Sequence, residues 1–301
     1  MSPLDSETLK RRRDRLRAAD APVPVDAPKP DKQYKGGRDL RAAITVGISL
    51  AALFLLSILI HPIGFLGLSS VGCVYALYEL KNACARAHLN VAYPVLAVGA
   101  VGILTSAYFL GMEAAFISFY AAAGVAIVWH VLANSPVRET TRNSAASVFL
   151  LGYVPLLAAF AVRMLTNGGY WAVIVFVLLP VGNDTGGYIA GVLKGKHPMA
   201  ASISPKKSWE GFAGSIAATI TIGTISMHLL GASSWWGVIL GIAIAITATT
   251  GDLAESLIKR DLGLKDMGSI LPGHGGFMDR LDSLLVSAPA CYLIMHFALS
   301  W

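Results

Sequence analysis

The sequence predicts an all-α, polytopic integral membrane protein of about nine transmembrane helices, preceded by a basic, disordered N-terminal tail. Three observations lead there. Of 301 residues, 55% are hydrophobic and only 14% charged, with a mean hydropathy of +0.61, outside the range of soluble globular domains. Apolar runs of roughly 20 residues, the length that crosses a bilayer, recur along the chain. Basic residues alternate between the connecting segments as the positive-inside rule requires.

Residues 1–41 hold 11 Lys/Arg and 7 Asp/Glu, including Lys10-Arg11-Arg12-Arg13, followed by Pro22, Pro24, Pro28 and Pro30. Such a segment is too polar to pack a core. Its basic run reads as a solvated orientation signal, with contact to anionic lipid headgroups as the alternative. It contains no apolar stretch of a secretory signal, so the first span is expected to act as an uncleaved anchor. The overall +6 charge is concentrated in this tail, and no nucleic-acid partner is expected.

The spans are expected near 42–60, 64–82, 91–110, 113–133, 145–164, 170–193, 211–230, 234–258 and 281–300. They divide into an N-terminal group (42–165) and a C-terminal group (166–301) that carries the polar motifs. With the N-terminus inside, 23 of the 24 basic residues fall on the cytoplasmic side, Arg163 being the exception. The loops 194–210 and 259–280, richest in polar motifs, are then both cytoplasmic. Cys73, Cys84 and Cys291 lack paired spacing and read as small buried hydrophobes.

Asp252, Ser256 and Lys259 are spaced i, i+4, i+7 and share one helical face, with Arg260 beside them. That stripe suits a metal ion at one end and phosphate oxygens at the other. Glu255, four residues before Lys259, reads as a plain intrahelical partner and stays outside the site. Asp279 and Asp282 open the last span, flanking Arg280, and Asp279 can converge with Asp252. Two carboxylates with water and phosphate oxygens form the usual set for Mg²⁺, while separate pairing with nearby bases is the alternative. Between these helix ends, Leu271-Pro272-Gly273-His274-Gly275-Gly276 lets backbone N–H groups approach an anion. A simple chain reversal explains the glycines equally well. His274 is assigned as a phosphate donor, against proton shuttle or loop packing. A His-based zinc site is not expected.

Within the sixth expected span, Pro180-Val181-Gly182-Asn183-Asp184-Thr185-Gly186-Gly187 interrupts the apolar run and suggests a kinked or unwound helix lining a cavity. The glycines suit close helix packing. Asn183 and Asp184 are different, because an acid at membrane depth is a functional candidate by default. The following loop carries Gly195-Lys196-His197-Pro198-Met199 and Ser204-Pro205-Lys206-Lys207-Ser208-Trp209-Glu210-Gly211. Ser204, Lys206 and Lys207 are candidate phosphate ligands; a bare Lys-Lys pair is more often a topology signal.

The run Ser256–Asp282, with Ser256, Lys259-Arg260, Lys265-Asp266, Leu271-Pro272, His274-Gly275-Gly276, Asp279-Arg280 and Asp282, resembles the signature of CTP-dependent phosphatidate cytidylyltransferases, the CDP-diacylglycerol synthases. The 180–211 segments resemble the same family, so the likeness covers about a third of the chain, 180–285. It implies transfer of a cytidylyl group from CTP to phosphatidic acid, giving CDP-diacylglycerol and pyrophosphate for phospholipid biosynthesis. It also implies a Mg²⁺ centre on Asp252 and Asp279, with room for a second, monovalent cation. Asp184 and Asp282 are then further metal ligands, and Lys259 the principal catalytic cation. Asn183, Ser204, Lys206, Lys207, Ser256, Arg260, His274, Gly275 and Arg280 bind substrate. The expected setting is the plasma membrane, the site cytoplasmic, the chain among membrane lipids and a homodimer. Two rival readings are a CTP-dependent polyprenol or phytol kinase, and an ion-coupled transporter built on the broken sixth helix.

Overall fold

Long helices account for nearly all of the computed structural model, which describes residues 39–133, 135–264, 266–268 and 275–301. The tail through residue 38, Lys265 and His274 lie outside the described residues. In chain order the helices are α1 (Asp39–Ile60), α2 (Pro62–Arg86), α3 (Tyr93–Phe109), α4 (Met112–Leu132) and α5 (Val137–Leu151). A π-helical turn, Gly152–Leu156, joins α5 to α6 (Leu157–Lys194). Strands β1 (Pro198–Ala200) and β2 (Ser204–Ser208) precede α7 (Trp209–Leu229) and α8 (Ser234–Asp261). A 3₁₀ turn, Met278–Arg280, leads into α9 (Asp282–Leu299).

The sequence explains several boundaries. Pro62 occupies the first turn of α2, where its missing N–H costs nothing, and His61 Nδ1 caps Ile63 N at 3.1 Å. Ser208 caps α7 by accepting from Gly211 N at 3.1 Å. Pro155 sits inside the π turn, where the widened ladder accommodates the lost donor.

Among the described residues, six helices are long and apolar enough to cross a membrane by length and composition: Pro62–Arg86, Met112–Leu132, Val137–Lys194, Trp209–Leu229, Ser234–Asp261 and Asp282–Leu299. Nine are expected from sequence, and the difference has two sources. The segments 145–164 and 170–193 run together in the 58-residue stretch Val137–Lys194, about 87 Å if straight, whose one non-helical residue is Gly169 (φ 70°, ψ −171°). Two further apolar helices, Thr45–Ile60 and Tyr93–Phe109, are shorter than a full span.

Two other expectations need correction. The chain does not unwind at Pro180–Gly187: α6 stays helical there, and its break lies eleven residues earlier, at Gly169, where a positive φ suits glycine. The fold is also not purely helical, because residues 198–208 form an antiparallel hairpin pairing Pro198 with Ser208 and Ala200 with Ser204. That hairpin is pinned from α7: Glu210 accepts from Lys196 N and His197 N at 3.1 and 3.2 Å and pairs with His197 Nδ1 at 2.5 Å.

Small residues set the packing of α6 through α9. A Cβ on Gly186 would lie 2.8 Å from Gly214 O, one on Gly237 2.5 Å from Gly223 O, and one on Gly251 2.5 Å from Asp282 O. Backbones therefore touch along the α6–α7, α7–α8 and α8–α9 seams, as in membrane bundles where close van der Waals packing replaces the hydrophobic effect. The polar ends of α6, α8 and α9 are brought together by these seams. Cys73, Cys84 and Cys291 are free thiols, the first and last buried.

Candidate active site

A cavity of about 310 Å³ opens where α6, the hairpin, α7 and α8 meet. Six sequence-predicted residues line it: Asn183 and Asp184 from α6, Ser204, Lys206 and Lys207 from the hairpin, and Asp252 from α8. Lys207 Nζ reaches Asp252 Oδ2 at 2.5 Å, and Ser256 Oγ lies 3.4 Å from Asp252 Oδ1, as their shared helical face predicts. Asn183 Nδ2 donates to Asp184 Oδ1 at 3.1 Å, and Ser215 Oγ donates to Asn183 O at 2.6 Å. Asn183 Oδ1 is buried without a hydrogen-bond partner. A buried amide oxygen left unpaired costs about 1–3 kcal/mol, so it is suited to a ligand, a cation or its water. Arg260 Nε approaches Ile203 O at 3.5 Å, placing the end of α8 against the hairpin turn.

A second cluster lies further along α8. Lys259 Nζ bridges Asp279 Oδ1 at 2.7 Å and Glu255 Oε2 at 3.1 Å. The other Asp279 oxygen accepts from Gly276 N at 2.8 Å and Met267 N at 3.1 Å. Burial alone would raise the Asp279 carboxyl, but the Lys259 ammonium and the Gly276 N–H outweigh it and hold the group below the usual carboxylate range. Gly275, at φ 78°, makes the turn that delivers these N–H groups. Glu255 is fully buried and its Oε1 faces no donor. The neighbouring carboxyl is Asp282. Asp282 in turn lies within electrostatic range of Asp252. A chain of carboxyl groups therefore links the two clusters. Arg280, one residue past Asp279, lines a different, apolar face.

Two acids that the sequence reading passes over belong to this arrangement. Glu79 of α2 is buried and accepts from Phe277 N at 3.1 Å and Met278 N at 2.8 Å, fastening the loop before α9 to the N-terminal half. A Cβ on Gly268 would collide with Glu79 Oε1, and one on Gly276 would lie 2.9 Å from Asp279 Oδ2. These glycines are thus required by carboxylates of the protein itself. A charge inside an expected span was the available signal for Glu79. For Glu255, spacing to Lys259 suggested an ordinary surface pair and concealed its burial.

Among the described residues, no three His, Cys, Asp or Glu side chains form a ready metal cage. The oxygen donors that face the cavity, Asp184, Asp252 and Asn183 Oδ1, still suit a hard ion that keeps several waters and takes the remaining ligands from phosphate. Asp279 joins such a shell only if Lys259 releases one of its oxygens.

A model described as the cytidylyltransferase family matches residues 41–298, nearly the whole described chain. The chain belongs to the cytidylyltransferase family. It is 37% identical over 275 residues to a protein named phosphatidate cytidylyltransferase in Mycobacterium bovis, covering 87% of this chain and 90% of that one. The Mycobacterium leprae protein of the same name is 38% identical over 280 residues, covering 87% and 89%. One from Mycobacterium tuberculosis is 37% identical over 275 residues, covering 87% and 84%. For a cytidylyltransferase, a cavity that brings acids and lysines together is the arrangement that binding a polyphosphate calls for.

Proposed function

We propose that this membrane enzyme transfers the cytidylyl group of CTP to phosphatidic acid, giving CDP-diacylglycerol and pyrophosphate. The observation that carries the reading is the convergence of Asp184, Asp252, Lys206 and Lys207 on one cavity between α6, the hairpin and α8. A phosphate oxygen of the lipid attacks the α-phosphorus of CTP, the new P–O bond forms, and the bond to the β-phosphate oxygen breaks. The attacking phosphate is already anionic near neutral pH, so no strong general base is needed. Lys206 and Lys207 hold triphosphate oxygens, and Ser204 and Ser256 donate hydrogen bonds that fix their direction. Lys207 leaves Asp252 as it does so. Lys259, held between Glu255 and Asp279, supplies positive charge where negative charge relocates during displacement.

Asp252 and Asp184 are the residues that would hold Mg²⁺, with Asn183 Oδ1 beside them and Asp279 and Asp282 behind. Bound there, the ion would neutralise triphosphate charge and orient the leaving group. In this reading the chain crosses the plasma membrane nine times, with the two shorter apolar helices, in α1 and α3, and both halves of Val137–Lys194 counted, and the site faces the cytoplasm. The distribution of 23 basic residues to one side supports that orientation.

The test is pyrophosphate release by the purified protein given CTP and Mg²⁺. Release that depends on added phosphatidic acid is expected. CTP breakdown unaffected by phosphatidic acid would exclude the reaction.

A further inference from the structure

An apolar groove of about 460 Å³ lies between α1, α2, α6 and α9. Phe54 and Phe65 stack edge to face at 6.0 Å in its wall, and Leu284 of α9 faces them. Its outer wall is reachable from the surroundings, since Leu53 is 49% exposed. Among the described residues that line it, Arg280 is the one charged side chain. Phe277, Arg280 and Leu281 in its lining belong to the same short segment that carries Asp279 and, through it, Lys259.

We propose that this groove holds an acyl chain of the lipid substrate, with the lipid phosphate drawn to Arg280; the inference rests on the phosphatidic acid reading above. A predominantly apolar groove with one cation in its lining matches a molecule with a long tail and an anionic head. The 277–281 segment of the lining also carries Asp279, the partner of Lys259, so a lipid phosphate held at Arg280 sits one residue along the chain from that cluster. A chain moving from bilayer to groove gains little hydrophobic free energy, because lipid tails are as apolar as leucine. The groove therefore acts by orienting the head, and its effect appears in kcat/KM for long-chain substrates.

Two measurements test this on the full-length protein. First, phosphatidic acid with a photoactivatable acyl chain is cross-linked to the unaltered enzyme in lipid nanodiscs. Labelling is expected to concentrate on α1, the start of α6 and 277–288, and to be competed by unlabelled phosphatidic acid but not by phosphatidylcholine. Labelling spread evenly over lipid-facing helices, competition by either lipid, or a groove left unlabelled because a second copy or the tail fills it, overturns the proposal. Second, Ser69→Phe and Ala158→Phe, on the half-buried wall, narrow the groove. Each is expected to lower kcat/KM at least tenfold for phosphatidic acid with 16-carbon chains and less than threefold for six-carbon chains. Equal effects on both chain lengths, or none, count against the groove even while turnover of phosphatidic acid stands. Absence of turnover with any phosphatidic acid would instead remove the reaction, and the cross-linking pattern would still decide the groove.

Discussion

Lys259 is the residue at which stability and the proposed chemistry meet. Its ammonium lies between Asp279 and the fully buried Glu255, so Lys259→Met leaves two uncompensated carboxylates, a loss of about 3–5 kcal/mol in stability for a buried pair. Adding Glu255→Gln removes one of them. The double variant is therefore expected to recover much of the stability in thermal unfolding while remaining at least about 30-fold slower than the unaltered enzyme, roughly 2 kcal/mol of lost charge stabilisation. Recovery of turnover along with stability would make Lys259 purely structural. Asp252 offers the converse case. Its pair with Lys207 is partly exposed, so Asp252→Asn should change stability by only about 0–1 kcal/mol. Turnover is expected to fall at least about 100-fold, because asparagine keeps the shape but weakens hard-ion binding. Near-normal activity at saturating Mg²⁺ would take Asp252 out of the site. Helical spacing alone makes Asp252, Ser256 and Lys259 legible as one face. It does not show which i, i+4 partner is buried, and so Glu255 reads as a surface residue.

At the scale of elements, the loop before α9 is held by carboxylates from both ends of the chain. Glu79 comes from α2 and takes the N–H groups of Phe277 and Met278; Asp279 takes those of Met267 and Gly276. Contacts across about two hundred residues leave no trace in local pattern, which is why this tie was invisible in the sequence. Glu79→Ala strands two N–H groups at about 1–3 kcal/mol each. Faster amide exchange across 275–280 is expected in that variant, with turnover reduced; unchanged exchange would show that Glu79 does not hold the loop. The pH behaviour follows from Asp279. Its folded pKa is depressed, so its contribution is complete above the unfolded value of about 3.9 and is lost as pH falls through the lower folded value. Protection of Gly276, corrected for intrinsic rate, should stay constant between pH 7 and 5. A drop within that interval would contradict the assigned ion pair. The hairpin was equally hidden, because Ser204-Pro205-Lys206-Lys207-Ser208 has no apolar alternation and is held by Glu210 and strand pairing instead.

Over the whole molecule, each expected apolar span overlaps a helix among the described residues, since roughly 20 apolar residues are hard to accommodate otherwise, but the polar first half of α5 lay outside those spans. Hydropathy was weaker on crossings. A 58-residue run conceals its turning point at Gly169, and α3 is short for a bilayer. The break expected at Pro180 failed because the glycines following it pack against α7, which keeps the helix regular. The described candidate residues all lie after residue 180, and the proposed chemistry draws on α6, the hairpin, α8 and the segment before α9. Deleting residues 2–36 is therefore expected to leave specific activity within about threefold, Arg38 and Arg41 still marking orientation. A larger loss in correctly inserted protein would give the tail a part in the reaction.

The central claim is that the α-phosphorus of CTP is the reacting centre. Purified enzyme supplied with phosphatidic acid, Mg²⁺ and CTP labelled at either the α- or the γ-phosphate tests it directly. Cytidylyl transfer moves the α label into lipid and the γ label into pyrophosphate, with no γ label in lipid. Lipid carrying the γ label, with CDP as the released nucleotide, would mean a kinase reaction and contradict the account.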